Sequence, residues 1–299
     1  MLDLSALRTL LDRHGDALRY PVRPLELKGQ TFDFARQRPL MGVINLSPDS
    51  WYRESVCTSE SEAIARGLKL AEQGAAFIDI GAESTLAQAK RVGPGEQMER
   101  MLPVVRALAA KGLLVSAESY YPEVLEATAG AGARIFNLTG NEADEAVLRL
   151  AARHKAAVIL CYVLGSHVRE VGDFALEGDV IAAMEAHFRE RTARAARLGV
   201  TRCILDPGLG FYYRNLEDGA LRVAHQLNTF LNAFRLARLG YPVMNILPHA
   251  FEVFGEADRR AAEPFFAVLA LIGGSHILRT HELRTVAKIR DLLMSFEGD

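Results

Sequence analysis

Only three cysteines occur in 299 residues, and Cys57, Cys161 and Cys203 lie far apart in the chain. An odd, scattered set makes neither a disulfide framework nor a cysteine zinc cluster, and it points to a reducing, cytoplasmic setting. Long apolar runs are also missing. Nothing approaches the roughly 20 consecutive apolar residues that a membrane helix needs. The leucines of the first segment are interrupted by Asp3 and Arg8, so no stretch of signal-peptide type is expected. An excess of one charge is absent as well: 35 Lys and Arg face 37 Asp and Glu, for a formal charge of −2. That balance gives no footprint for nucleic acid or a membrane surface. Several catalytic signatures are not found. There is no Gly-x-x-x-x-Gly-Lys-Ser/Thr phosphate loop, no His-Glu-x-x-His zinc helix and no Gly-x-Ser-x-Gly nucleophile elbow.

What is there suits a compact α/β protein. Hydrophobic residues make up 49% and charged residues 24%, and a chain of this length buries about three quarters of its unfolded surface. From Leu40 onward, short apolar runs alternate with segments of helical period. Leu40–Ile44 reads as a buried strand, and Ser59 with Glu62 reads as a capping box before a helix reaching Gly74. The same unit recurs with strands at 77–80, 113–116, 134–137, 157–162, 203–206, 243–246 and 276–279. Helices follow them near 95–110, from Pro122, and near 142–153, 179–198, 216–239, 259–271 and 282–294. Continuous apolar strands are what helix-covered parallel sheets require. Eight such units over about 255 residues predict a (β/α)₈ barrel. A doubly wound open sheet shows the same alternation, but no glycine-rich dinucleotide fingerprint follows the first strand. Residues 1–36 read as a helical or irregular N-terminal extension broken at Pro21 and Pro24, and residues 37–299 as the barrel.

In a barrel of this kind the site forms at the C-terminal ends of the strands. The residues placed there are polar: Asn45, Glu83, Ser84, Glu118, Ser119, Asn137, Asp206, Asn245, His249, Arg279 and His281. Buried carboxylates and amides need partners, and a ring of them suits a flat, nitrogen-rich heterocycle. Arg279 and His281 add groups suited to a phosphate or other anion. Bland roles stand beside these: Asp79 as a paired interior residue, Glu83 as a loop brace, His276 as structural, Cys161 and Cys203 as small core residues. His167, Arg169 and Glu170 read as solvated loop.

Four segments resemble the signatures of the dihydropteroate synthase family. They are Met41-Gly42-Val43-Ile44-Asn45-Leu46-Ser47-Pro48-Asp49-Ser50, Ile78-Asp79-Ile80-Gly81-Ala82-Glu83-Ser84-Thr85, Asp206-Pro207-Gly208-Leu209-Gly210-Phe211 and Leu278-Arg279-Thr280-His281-Glu282. The resemblance implies a pterin-binding TIM barrel, usually a homodimer, that joins 6-hydroxymethyl-dihydropterin pyrophosphate to para-aminobenzoate and releases pyrophosphate. It implies Asn45 as a ligand for Mg²⁺ or pyrophosphate, Glu118, Asn137, Asp206 and His249 at the pterin, and Arg279 and His281 at the pyrophosphate. The chain departs from the family pattern at four places. Glu118-Ser119 stands for Asp-Thr, Leu86-Ala87-Gln88 for Arg-Pro-Gly, Pro248-His249-Ala250 for Ser-Arg-Lys, and Asn137-Leu138 for Asn-Asp. These departures predict a transferase with an altered acceptor or a reduced ordinary reaction.

Two other functions compete with that reading. One is a non-catalytic pterin-binding or accessory barrel. The other is an unrelated barrel enzyme using Glu118 and His249 as an acid–base pair. The segment Pro264–Leu271 is apolar nearly all round, which predicts a homodimer face or a fully buried helix.

Overall fold

The computed structural model describes residues 1–49, 55–84, 89–140, 144–165, 178–210 and 218–296. Eight parallel strands form the barrel: β3 (Leu40–Asn45), β4 (Ala75–Gly81), β5 (Leu114–Glu118), β6 (Ile135–Leu138), β7 (Ala157–Cys161), β8 (Cys203–Asp206), β9 (Met244–Ile246) and β10 (Ile277–Thr280). They pair in the order β8-β7-β6-β5-β4-β3-β10-β9. A parallel bridge between Leu205 and Val243, with the Leu205 N–H donating to Pro242 O at 2.9 Å, closes β8 onto β9. The (β/α)₈ TIM barrel expected from the alternation is therefore the fold, and the open sheet is excluded.

Helices follow each strand: α2 (Glu60–Glu72), α3 (Pro94–Ala110), α4 (Pro122–Ala131), α5 (Asp144–His154), α6 (Val180–Arg197), α7 (Gly219–Asn232), α8 (Phe251–Ile272) and α9 (Leu283–Met294). Their starts obey local chemistry. The Ser59 hydroxyl accepts from the Glu62 N–H at 3.3 Å, and the Glu62 carboxylate returns to the Thr58 N–H at 2.9 Å. The capping box thus reaches one residue further back than expected. Pro94 and Pro122 open α3 and α4, where a missing N–H leaves no bond unmade. The segment read as one helix to residue 239 is two. Helix α7 stops at Asn232 and a 3₁₀ stretch, Ala233–Leu239, continues to the left-handed Gly240.

The N-terminal segment holds more order than its prolines suggest. After α1 (Leu4–His14) and a 3₁₀ turn comes an antiparallel hairpin, β1 (Leu25–Leu27) with β2 (Gln30–Phe32). Leu25, Leu27, Phe32 and Phe34 pack in one cluster with Met41, Phe77, Leu114, Ile135, Ile159, Ile204, Met244 and Ile277. Those barrel residues are the inward-facing members near the strand starts, so the hairpin plugs the lower mouth. Their strand neighbours Leu40, Ile78, Val115, Phe136, Val158, Leu205 and Leu278 belong to the second cluster, between sheet and helices.

The period-2 alternation of strands then decides what faces the upper lumen. Two residues beyond Phe77 stands Asp79; four beyond Leu114 stands Glu118. By the same count Ile135 leads to Asn137, Ile204 to Asp206 and Ile277 to Arg279. An apolar floor gives way to a polar layer on the same inward face. Among the described residues no helix is long and apolar enough to cross a membrane.

Candidate functional site at the barrel mouth

Arg279, from β10, is the cation of the polar layer. Its Nε donates to Asp79 Oδ2 at 2.8 Å and its Nη2 donates to Glu118 Oε2 at 2.8 Å. Asn137 Nδ2 donates to the same Asp79 oxygen at 3.0 Å. Four strands are tied together in this way, and Asp79, fully buried, is the hub. Its other oxygen, Oδ1, is buried and accepts no hydrogen bond from the described residues. Asp206 closes β8 and accepts from the Gly208 N–H at 2.9 Å.

Crowding carboxylates in a low-dielectric lumen changes their protonation. Burial lifts the Glu118 carboxyl from 4.5 to about 7; Arg279 opposes the rise, while Asp79 and Asp206 add to it. Burial likewise lifts Asp206 from 3.8 to about 6, against the bond from Gly208 and the charge of Arg279. Two acids thus lie close enough to neutral to serve as donor or acceptor. Arg279 is held charged: burial opposes its charge, but Asp79 and Glu118 outweigh it.

Beside this lumen set sits a second network around Glu83. Tyr120 donates its hydroxyl to Glu83 Oε2 at 2.5 Å, Gln97 Nε2 to the same oxygen at 3.1 Å, and the Val92 N–H to Oε1 at 3.4 Å. Ser119 Oγ in turn donates to Gln97 Oε1 at 2.9 Å. Glu83 therefore braces the turn after β4, as its plainer reading expected. Asn45 Nδ2 donates to the buried Ser55 Oγ at 2.6 Å, which fixes the amide at the end of β3.

The model of the family described as pterin binding enzyme matches residues 41–281. The chain belongs to the pterin binding enzyme family. It is 29% identical over 280 residues to a dihydropteroate synthase of Synechocystis sp., covering 89% of this chain and 92% of that one. It is 30% identical over 268 residues to a dihydropteroate synthase of Escherichia coli, covering 88% and 93%. The solved Thermus thermophilus dihydropteroate synthase in complex with 6HMPPP matches with a TM-score of 0.73 and 29% identity, covering 92% of this chain and all of that one.

Several residues singled out from the sequence lie outside the lumen ring, His276 as expected. Asn245 does not join the lumen ring: it has the opposite strand parity, is fully buried, and bonds Ser275 Oγ at 2.6 Å. His276 is structural, taking the Val243 N–H at 3.2 Å and meeting the Phe34 ring edge-on; burial pushes its pKa down to about 3. Glu118 and His249 belong to different networks, because Glu118 holds Arg279 while His249 lies 3.5 Å from Glu263. Ala250, at the family's lysine position, is buried and left-handed, with φ +40°. Leu86-Ala87-Gln88, together with His167, Arg169 and Glu170, lies outside the described residues. So do Ser50, Thr85 and Phe211 of the signatures, and Glu142 and Leu216, where two helices were expected to begin.

Sequence reasoning passed over Glu263. This fully buried carboxylate of α8 accepts from Thr280 Oγ1, from the His281 N–H at 2.9 Å and from the Glu282 N–H at 3.2 Å, all on Oε2. Its Oε1 meets His281 Nδ1 at 2.8 Å. The signal lay in Ala261-Ala262-Glu263-Pro264-Phe265-Phe266, where one carboxylate interrupts an apolar helix face and so demands a buried partner. His281 also lines a cavity of about 360 Å³ with Arg66, Lys69, Arg260 and Arg284.

Proposed function

We propose that this protein is a transferase of dihydropteroate synthase type that acts on a pterin-type pyrophosphate, with an acceptor pocket changed from the ordinary one. The observation that carries the reading is the lumen set: Asp79, Glu118, Asn137, Asp206 and Arg279 share one inward face at one mouth. A pterin edge offers amino and ring N–H donors beside ring acceptors. Asp206 and the Oδ1 of Asp79 accept the former. The Asn137 amide and the Glu118 carboxyl, which titrates near neutrality, accept or donate as the ring requires. Arg279 gives Nε and Nη2 to carboxylates, so its Nη1 side is turned to the diphosphate, and His281, whose Nδ1 is held by Glu263, would meet the diphosphate through Nε2.

In the reaction the methylene–oxygen bond breaks and the diphosphate leaves with the electron pair. The acceptor nitrogen bonds to the methylene and then releases one proton to water. Positive charge that grows on the methylene is favoured by the buried carboxylates around it. The residues present also fit a Mg²⁺ ion of the kind the family uses. Ser55 fixes the Asn45 amide through Nδ2, which leaves Oδ1 as a hard oxygen donor, and Mg²⁺ takes few protein ligands beside phosphate oxygens and water. When bound, that ion neutralises charge on the departing diphosphate. The altered acceptor is supported by Leu86-Ala87-Gln88, which stand in the sequence where the family has the Arg-Pro-Gly that helps enclose para-aminobenzoate; Ala250, where the family presents a lysine, changes the pterin side instead.

The protein is further proposed to act in the cytoplasm, supported by its three buried free cysteines, and as a homodimer. The dimer reading is supported by apolar side chains left exposed on neighbouring α8 and α9, Val253, Phe265, Ile272, Leu292 and Met294, and by Phe296 just beyond α9. A single-chain mass by light scattering at micromolar concentration would argue against it.

The enzymatic proposal is tested by incubating the protein with 6-hydroxymethyl-dihydropterin pyrophosphate, Mg²⁺ and a panel of aromatic amines that includes para-aminobenzoate. Pyrophosphate release, faster with another amine than with para-aminobenzoate, is expected. No release with any amine tested contradicts catalysis, and binding without release makes the chain a pterin-holding barrel.

A further inference from the structure

We infer that His249, Glu263 and His281 form a binding site for a divalent transition cation of the zinc class, separate from any magnesium held with the diphosphate. One ligand atom from each of the three lies within 4.8 Å of the other two. His249 precedes α8, Glu263 lies in the part of α8 beyond the break at Gly255, and His281 follows β10. Two imidazoles and one carboxylate are a zinc donor set, and three protein ligands leave a fourth tetrahedral position for water or a substrate oxygen. A hard ion such as Mg²⁺ asks instead for oxygen donors in an octahedron.

The carboxylate is already oriented for this role. Oε2 of Glu263 is fixed by Thr280 Oγ1 and by the His281 and Glu282 N–H groups, so Oε1 alone is turned toward the imidazoles. Supporting bonds of this kind orient a metal ligand. The spacing is close to what an ion imposes. Tetrahedral ligands at about 2.0–2.1 Å lie roughly 3.3 Å apart. Glu263 Oε1 is 3.5 Å from His249 Nδ1 and 2.8 Å from His281 Nδ1. Entry of the ion therefore needs a retreat of about half an ångström from His281, an approach of the two imidazole ligand atoms from within 4.8 Å toward that spacing, and loss of the proton shared in the Glu263–His281 bond. The two rings lie 5.2 Å apart between centroids with their planes tilted by 48°. Asp79 is bonded to Arg279 and Asn137 and Asp206 to the Gly208 N–H, so these lumen carboxylates are committed to other partners.

The test uses the whole protein, stripped with a chelator and titrated near neutral pH with Zn²⁺ by calorimetry and with Co²⁺ by visible absorption. One ion per chain is expected, with protons released on binding and tetrahedral Co²⁺ bands that excess Mg²⁺ does not remove. His249→Ala, His281→Ala and Glu263→Gln should each weaken binding by at least about tenfold. Circular dichroism checks that each variant folds. The His249 side chain is 17% exposed, so His249→Ala decides the question if Glu263→Gln does not fold. No stoichiometric binding, binding unchanged in His249→Ala, or displacement of Co²⁺ by Mg²⁺ overturns the inference. The probe is the metal alone, so its failure leaves the pterin reading standing, and the converse also holds.

Discussion

Replacing Glu118 by glutamine removes a buried negative charge and keeps the side chain's length, with one oxygen still available to Arg279. In the folded protein burial carries the Glu118 carboxyl from 4.5 to about 7, against the pull of Arg279. A carboxyl whose folded pKa lies above its unfolded value holds its proton longer in the native state. The native state thus binds more protons, and stability falls as pH rises through the window from 4.5 to 7. Between about pH 5 and pH 8 this one group removes roughly 2–3 kcal/mol. Asp206, lifted from 3.8 to about 6, adds a slope of the same sign in both proteins; because its charge and that of Glu118 repel each other, the variant also loses part of the Asp206 slope, which widens the difference in the same direction. Urea unfolding of both proteins at the two pH values reads the difference. The wild type is expected to lose about 2–3 kcal/mol more than Glu118→Gln between them. At the same time the variant should bind a pterin pyrophosphate about tenfold more weakly, through loss of a charge-assisted bond. Equal pH dependence in the two proteins would refute the placement of Glu118 as a buried, carboxylate-crowded acid.

Arg279→Met leaves Asp79 and Glu118 without their shared cation and should cost about 3–5 kcal/mol, read as a lower urea midpoint; a change under about 1 kcal/mol would contradict the network. Gly273→Ala puts a Cβ 1.9 Å from the Phe230 carbonyl oxygen, so the backbone of α7 or α8 must shift, with an expected loss of about 3 kcal/mol. That corresponds to a fall of about 5 °C in the melting temperature of a chain this long, and an unchanged melt would show that the contact gives way freely. Arg191, which grips Asp144 through two bonds of 2.8 and 2.6 Å and the Cys161 carbonyl through a third of 2.6 Å, is buried. Arg191→Leu should destabilise by about 3–5 kcal/mol, and Arg191→Lys, lacking the planar fork, should recover only part of it.

The strands were legible because their apolar runs are continuous, and the eight observed strands fall within two residues of the expected ones at either end. The hairpin of residues 25–32 was not legible: its strands are three residues long, and Pro21 and Pro24 disguise them. The polar layer was legible at strand ends but not inside strands. Asp79 reads at first as a mere interior residue, although counting two positions from Phe77 places it on the lumen face. The same counting removes Asn245 from the ring, since its neighbour Met244 already faces inward. Glu263 escaped because its partners arrive from residues 249 and 280–282, and no local period records a contact between α8 and the end of β10. The four signature segments carried the family, and the lumen geometry gives those segments a physical reason.

The central claim is that one barrel mouth recognises a fused heterocycle with a diphosphate tail. Isothermal calorimetry of 6-hydroxymethyl-dihydropterin pyrophosphate against the wild type and Asp206→Asn tests it most directly. Saturable binding at one site per chain is predicted, weakened by about a hundredfold in Asp206→Asn as a charged acceptor is lost. No binding to the wild type, or equal affinity in the two proteins, would contradict it.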